Sequence, residues 1–184
     1  MIYESYPWKE DLHKKLKDLI KYNTAKKRLS DDEKSDTVIE KSIFYSAFII
    51  RKLIDCHTKL SDEACQYSMD VKAIRPKKSI NLMRRWPEEG SHYWDHETSV
   101  KVKGKDVCNW LIHSYIFAFE VGDHNTVESF FVSSDYDKNK VLYRILISDW
   151  IEYMKFIMTD DIVSAEMVFC EKKGDYIVVK KERG

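Results

Sequence analysis

Apolar side chains recur at helical spacing near the start of the chain. Leu12, Leu16 and Leu19 follow Trp8 at intervals of three or four residues, and lysines occupy many of the positions between them. This spacing places the four apolar side chains on one face of a helix. Pro7 suits the first helical turn because its missing N–H would have no partner there. The pattern therefore predicts an amphipathic helix that begins near Pro7.

A second helix is predicted after a polar connection at residues 23–36. Thr37 and Glu40 form a capping-box pattern, in which a hydroxyl and a carboxylate satisfy free backbone donors at the start of a helix. The residues that follow are apolar on most faces of the helix. We therefore expect this helix to be central and buried, and to end near Leu60.

Shorter apolar segments with strand patterns fill the rest of the chain. Lysine and valine alternate over Ser99–Lys103, which is typical of an edge strand with charge on its open face. Asp106 is placed to cap a helix that extends to Tyr115, and Asp149 to start a third long helix. The predicted strands are Tyr67–Ile74, Ser99–Lys103, Thr126–Ser133, Val141–Ile147, Val163–Cys170 and Tyr176–Lys180.

This order of elements predicts the α+β class. Two N-terminal helices are followed by a mixed, mainly antiparallel sheet with two interspersed helices and a C-terminal hairpin. The length of 184 residues suits a single domain over residues 1–184. Its helical N-terminal part covers about residues 1–62, and its strand-rich part about residues 63–184.

No segment is typical of a membrane span or of a secretory signal. The longest apolar run, around Phe44–Ile50, is far shorter than the ~18 residues that a membrane helix requires. The N-terminus lacks a basic segment followed by an apolar one. We therefore expect a cytoplasmic protein without a membrane partner. The cysteines are widely spaced and contain no C-x-x-C pair, which favours buried thiols over disulfides or a zinc site.

The charges balance in number but are separated along the chain. The 31 lysines and arginines match 31 aspartates and glutamates. Between Val71 and Pro87 there are six basic residues and no acid, whereas eleven acidic and four basic residues lie between Glu120 and Glu171. A basic middle and an acidic C-terminal third favour a charged partner.

Motifs of the common nucleotide-dependent enzymes are absent. The five glycines are isolated, so none can belong to the clustered loop that lets backbone amides cradle a phosphate. The sequence also lacks the G-x-S-x-G, H-E-x-x-H, EF-hand and kinase signatures. It therefore predicts no cofactor and favours a non-enzymatic function.

The first candidate site is the basic middle of the chain. Lysines and arginines interleaved with an exposed aromatic residue can follow a phosphate backbone while the ring stacks on a base. The alternative is a solvated strand face followed by a loop. The residues of this candidate are Lys72, Arg75, Lys77, Lys78, Arg84, Arg85 and Trp86, and they are continued by Lys101, Lys103 and Lys105.

Arg51 and His57 form a second candidate. Their R-x5-H spacing resembles the catalytic signature of HEPN-type ribonucleases, which are helical proteins. The resemblance implies metal-independent RNA cleavage, with His57 as acid and base and Arg51 stabilising the charged phosphorane. Six residues on a regular helix separate the two side chains by about 120°, so their convergence requires a helix end or a bend. The alternative is an i,i+4 ion pair between Arg51 and Asp55.

His92 and His96 form a third candidate, for metal binding. A spacing of four places them on one face of a helix or a strand. Two imidazoles with a nearby carboxylate suit zinc or a non-haem metal. The segment follows Pro87 and Gly90, which is typical of a loop, so the alternative is a loop that its aromatic residues anchor on the core.

The missing catalytic motifs and the separated charges favour a small intracellular binding or accessory protein that acts through a charged surface. The composition, which is rich in Lys, Ile and Tyr and poor in Ala and Gly, suggests a bacterial or phage origin. Nucleic acid is the expected partner of the basic middle, and another protein is the expected partner of the acidic C-terminal third. The alternative hypothesis is a metal-independent, HEPN-like ribonuclease that uses Arg51 and His57.

Overall fold

The N-terminal part of the protein is helical. The computed structural model describes residues 2–184, and its first three helices are α1 (Tyr6–Tyr22), α2 (Ala25–Ser30) and α3 (Asp32–Asp55). The leucines of α1 that the helical spacing selected are buried, and α1 packs against α3. None of the helices within residues 2–184 is both long and apolar enough to cross a membrane.

The predicted polar connection at residues 23–36 is wrong, because α2 and the first turn of α3 lie within it. The carboxylate of Asp31 accepts a hydrogen bond of 3.0 Å from the backbone N–H of Lys34. This cap, together with two acidic residues in the first turn, stabilises an earlier helix start. Thr37 therefore lies inside α3, and the capping-box pattern does not mark its beginning.

The predicted end of this helix near Leu60 is also wrong, because α3 ends at Asp55. A short helix, α4 (Asp62–Gln66), follows after a turn. Its cap is Ser61, whose hydroxyl accepts from the backbone N–H of Ala64 at 3.1 Å and donates to the buried carboxylate of Asp160 at 2.5 Å. This contact with a distant buried acid fixes the chain where helical spacing alone predicted a continuing helix.

Five strands form one sheet: β1 (Ser68–Ile74), β2 (Thr98–Lys103), β3 (Ser114–Val121), β4 (Val127–Ser134) and β5 (Leu142–Leu146). Their order in the sheet is β2-β1-β5-β4-β3. All neighbouring strands are antiparallel, which confirms the α+β class and refines the expected mixed sheet. The predicted edge strand is β2, and the predicted strands Thr126–Ser133 and Val141–Ile147 correspond to the antiparallel pair β4–β5.

The segment before β4 differs from its prediction. Helix α5 (Gly104–Ile112) begins before Asp106, which lies in its first turn and is not its cap. Ser114–Tyr115 does not extend this helix but begins β3, which pairs with β4. Phe117 and Phe119 of β3 pack against the main core. Strand pairing and aromatic packing therefore override the apparent helical continuation.

One face of the sheet packs against helices and contains the main core. Helix α6 (Ile147–Met158) contributes Trp150 and Tyr153, which are fully buried. The indole N–H of Trp150 donates to the hydroxyl of Ser46 on α3 at 3.1 Å. This hydrogen bond satisfies two polar groups inside an otherwise apolar layer.

The opposite face of the sheet carries a smaller cluster that a loop covers. Phe131 of β4 and Leu142 of β5 pack there with Ile80, which comes from the connection between β1 and β2. We call this side of the sheet the outer face. The β1–β2 connection therefore lies on the sheet.

The C-terminal hairpin is present as predicted and forms a separate two-stranded sheet. Its strands are β6 (Ile162–Cys170) and β7 (Asp175–Arg183). The backbone N–H of Lys181 in β7 donates to Asp62 of α4 at 2.9 Å. This contact places β7 beside the end of the helical part.

Candidate functional site

The basic segment, residues 72–86, continues β1 and then crosses the outer face of the sheet. The backbone of residues 75–77 pairs with that of residues 91–93 through hydrogen bonds of 2.8 and 2.9 Å. Farther along, Ile80 is buried, and its backbone N–H donates to the side chain of Asn139 at 2.7 Å. These attachments hold the segment on the sheet while its cationic side chains stay exposed.

The cations of the basic segment have no acidic partner. Within residues 2–184, none of its six lysine and arginine side chains has a carboxylate oxygen within 4.0 Å. By contrast, all four basic residues between Glu120 and Glu171 form ion pairs. These paired residues are Lys138, Lys140, Arg144 and Lys155. The basic segment therefore presents cations to solvent that no ion pair neutralises, although Glu88 and Glu89 line the same cavity as Lys78 and Arg84.

Exposed aromatic rings lie among these cations. Trp86 is 61% exposed, and the guanidinium of Arg85 lies 5.6 Å from its ring centroid. Tyr93 is 46% exposed, with the ammonium of Lys77 at 5.3 Å from its ring. Each ring therefore offers a stacking surface beside a positive charge.

The positive charge continues along the β1–β2 edge of the sheet. Lys72 is paired in register with Ser99, and its ammonium donates to the Ser99 hydroxyl at 2.7 Å. Residues two apart share a face of a strand, so Lys101 and Lys103 lie on the same outer face as Lys72. Asp70, which is paired in register with Lys101, is the acid among them, but within residues 2–184 no cation lies within 4.0 Å of its carboxylate. Together, the basic segment, Lys101 and Lys103 form what we call the basic surface, which reaches the start of α5.

His92 and His96 occupy different environments. His92 is fully buried and lies beside Trp94, and burial lowers its pKa to about 4. Its Nδ1 lies 2.7 Å from the Ser91 hydroxyl, while Nε2 has no partner among the described residues. His96 is exposed. Across residues 2–184, no group of three or more His, Cys, Asp and Glu side chains is arranged to hold a metal ion.

Arg51 and His57 lie on either side of the end of α3. Nε of Arg51 donates to Oδ1 of Asn109 at 2.7 Å, and its guanidinium forms an ion pair with Asp55. The i,i+4 alternative to a catalytic Arg51 is therefore present. His57 follows the helix and is exposed. Arg51 does not line either of the two clefts that His57 lines.

His57 instead shares a cleft with three lysines. This cleft has a volume of about 550 Å³ and lies between the end of α3, α4, the start of α5 and β7. Lys103, Lys105 and Lys181 line it together with His57, and Asp55 is the acid in its wall. We call it the lysine cleft. The lysine cleft therefore brings together His57, which belongs to the candidate ribonuclease site, and Lys103 and Lys105, which continue the candidate nucleic-acid site.

Sequence reasoning missed two parts of this region. Lys181 enters the lysine cleft from the C-terminal hairpin, and no local pattern links it to His57. The second part is an ionic cluster in which Arg144 binds Glu97 at 2.7 Å and Glu120 at 3.2 Å, while Ser129 donates to Glu120. The one feature of the sequence that could have indicated this ionic cluster is Arg144, a cation within the otherwise apolar strand β5.

Comparisons with known proteins do not add a function. No protein-family model, no curated protein and no solved structure matches this chain. The features that bear on its function are therefore the charge and geometry of the basic segment and the lysine cleft.

Proposed function

We propose that the protein binds single-stranded nucleic acid along its basic surface, with the basic segment as the main contact. The observation that carries this proposal is the contrast in ion pairing. The cations of the basic segment have no carboxylate partner, whereas those of the acidic third are all paired. Unpaired, exposed cations can bind phosphates without first breaking an ion pair.

Binding would combine phosphate contacts with base stacking. Each cation that neutralises a phosphate releases condensed counterions, which makes the affinity depend on salt. Trp86 and Tyr93 supply rings beside Arg85 and Lys77, and base–aromatic stacking requires unpaired bases. Both contacts tolerate any base, so we expect a weak sequence preference and weaker binding to double-stranded DNA.

A salt titration tests the proposal. The anisotropy of a labelled single-stranded oligonucleotide, RNA or DNA, is measured against protein concentration between 50 and 200 mM salt. Four phosphate contacts predict a slope of about −2.8 for log K against log salt, which is a loss of about 50-fold over this range. Salt-insensitive binding, or no binding at 50 mM, would contradict the proposal and favour a protein partner.

A second candidate function is metal-independent RNA cleavage. The observation that favours it is the exposed ring of His57 in a cleft lined by lysines. An imidazole can exchange a proton with the 2′-hydroxyl or the leaving group near neutral pH. In this candidate the lysines, and not Arg51, lie beside the phosphate that is cleaved.

Incubation of the purified protein with RNA in EDTA tests the second candidate. Cleavage is expected from the wild type and is expected to disappear in His57→Ala. Equal cleavage by both proteins would identify a contaminating nuclease or another site. Absence of cleavage by the wild type would reject the enzyme while leaving the binding function intact.

A further inference from the structure

The lysine cleft has an excess of positive charge. Of its titratable side chains, three are lysines and one is His57. Asp55 is the acid in the wall, and its carboxylate is already paired with Arg51. Lys103 and Lys105 have no carboxylate within 4.0 Å among residues 2–184. An anion in the cleft would therefore meet two unpaired ammonium groups.

Lys181 and Cys65 also affect the net charge of the lysine cleft. The Lys181 side chain is only 11% exposed, and its ammonium lies 3.5 Å from Sγ of Cys65 and 3.6 Å from Asp62. Burial raises the pKa of the Cys65 thiol. The thiol is thus neutral at neutral pH and does not offset the lysines. Asp62 is the carboxylate nearest to Lys181, and it does not line the cleft.

The size of the cleft indicates more than a free phosphate ion. Its volume of about 550 Å³ falls within the range that holds small organic ligands. A phosphate monoester carries a charge of about −1.5 to −2 at pH 7 and has three free acceptor oxygens. A phosphodiester inside a strand carries a single negative charge. The two unpaired ammonium groups of Lys103 and Lys105 therefore match the charge of a monoester better than that of an internal phosphate, while the ammonium of Lys181 is ion-paired with Asp62.

The position of the cleft links it to the basic surface. Lys103 is the last residue of β2 and lies on the outer face with Lys101 and Lys72, and it also lines the cleft. On its other side the cleft is bounded by β7 through Lys181. A strand that follows the basic surface in this direction would reach the cleft where the surface ends.

We propose that the lysine cleft binds the terminal phosphate monoester of a nucleic-acid strand. This inference rests on the proposed function, because the basic surface would hold the rest of the strand. Lys103 and Lys105 would bind the terminal phosphate, and Lys181, which is ion-paired with Asp62, would line the cleft beside them.

The test compares oligonucleotides of one sequence that differ only at their ends. The probes carry a 5′-phosphate, a 3′-phosphate or hydroxyls at both ends, and affinity is measured by anisotropy at 50 mM salt. One phosphorylated probe is expected to bind about tenfold more tightly than the hydroxyl probe. The preferred end gives the polarity of the bound strand.

Two variants assign the effect to the cleft. Lys103→Gln with Lys105→Gln removes unpaired cations, and we expect it to abolish the advantage of the phosphorylated probe. Lys101→Gln is the matched control outside the cleft, and it should weaken binding of all three probes equally. An advantage that persists in the double variant would overturn the inference.

The remaining outcomes separate this inference from the proposed function. Equal affinity of the wild type for all probes would overturn the terminal-phosphate site and leave strand binding intact. If no oligonucleotide binds, the proposed function fails, and the cleft is tested with inorganic phosphate and a nucleoside 5′-monophosphate. A rise in melting temperature in the wild type but not in the double variant would support a free phosphate monoester as the ligand. No rise in the wild type would reject the site.

Discussion

The basic segment and the acidic third are both rich in charge, but they use it differently. In the acidic third, Lys138 and Lys140 pair with aspartates three residues away, and Arg144 joins Glu97 and Glu120. In the basic segment, all six cations are exposed, and none forms an ion pair with a carboxylate of residues 2–184. In the acidic third, each cation neutralises a nearby carboxylate, whereas the cations of the basic segment are free to bind a partner.

This difference shows that a net charge of zero does not describe how paired and unpaired charges are distributed over the surface. A cation with an acid within 4 Å contributes little field at a distance, because the two charges offset each other. Unpaired cations in one segment add their fields and attract an anion. We expect the two regions to respond to substitution in opposite ways, one through affinity and the other through stability.

The largest expected effect comes from removing charge in the basic segment. Arg75→Gln, Lys77→Gln, Arg84→Gln and Arg85→Gln together should lower affinity for single-stranded RNA roughly thousandfold at 50 mM salt, because four contacts are lost at a salt slope of about 0.7 each. Anisotropy measures the loss, and the slope of log K against log salt should become markedly shallower, with the remainder due to the lysines that are left on the surface. Because these side chains are exposed and unpaired, the free energy of unfolding should change little.

The matched control lies in the acidic third. Lys138→Gln with Lys140→Gln removes paired cations, so affinity should stay within about twofold of the wild type, and the stability should change little because exposed ion pairs contribute little to it. Equal loss of affinity in both sets of variants would show that net charge, and not the unpaired segment, governs binding.

Acid should weaken the fold through the histidine beneath the basic segment. The pKa of His92 is lowered from 6.5 to about 4 by burial, so the folded state favours the neutral ring. The stability that this ring contributes is complete above pH 6.5 and is lost as the pH falls toward 4. The loss is about 3 kcal/mol at most, at about 1.4 kcal/mol per pKa unit. Urea unfolding at several pH values should show this fall in the free energy of unfolding below pH 6.5 in the wild type and not in His92→Phe. Parallel pH profiles for the two proteins would contradict it.

Breaking the ionic cluster of the acidic third should destabilise the protein. Arg144→Met leaves Glu97 and Glu120 partly buried without their cation. We expect the free energy of unfolding to fall by about 2 kcal/mol. This is less than for a fully buried ion pair, because both carboxylates remain partly accessible to solvent. Glu97→Gln, which leaves the Glu120 pair, should cost less. A stability equal to wild type in Arg144→Met would show that these ion pairs do not serve the fold.

The smallest effect concerns the aromatic ring of the basic segment. Trp86→Ala should lower affinity about tenfold, as expected for one stacked base, with an unchanged salt slope. Tyr136→Ala is the matched control, because Tyr136 is 81% exposed but belongs to the acidic third. An altered salt slope in Trp86→Ala would indicate that the ring positions Arg85 and does not stack on a base.

Much of the fold follows from local patterns, but β3 does not. Phe117 and Phe119 face the main core, while Ile116 belongs to the cluster on the outer face and Ala118 packs against it. A strand that is covered on both faces has no alternation of apolar and polar residues. Its sequence therefore continued the apparent helix of α5. Similarly, α4 depends on a cap that Asp160 supports from far along the chain.

The candidate site divides in the same way. The basic segment is local, so its charge and its tryptophan could be found from sequence. The lysine cleft combines the end of α3, the start of α5 and β7, and no single stretch of sequence contains it. The placement of Lys181 next to His57 required the hairpin to pack beside α4.

The sequence by itself determined the α+β class, the C-terminal hairpin, the charged edge strand and the separation of basic from acidic residues, because each depends on side chains close together in the chain. Tertiary structure decided which charges are neutralised. Ion pairing depends on distances of a few ångströms between atoms, and pairs such as Arg144 with Glu97 form only when distant segments meet. The fold left the basic segment unpaired and gathered three lysines around His57.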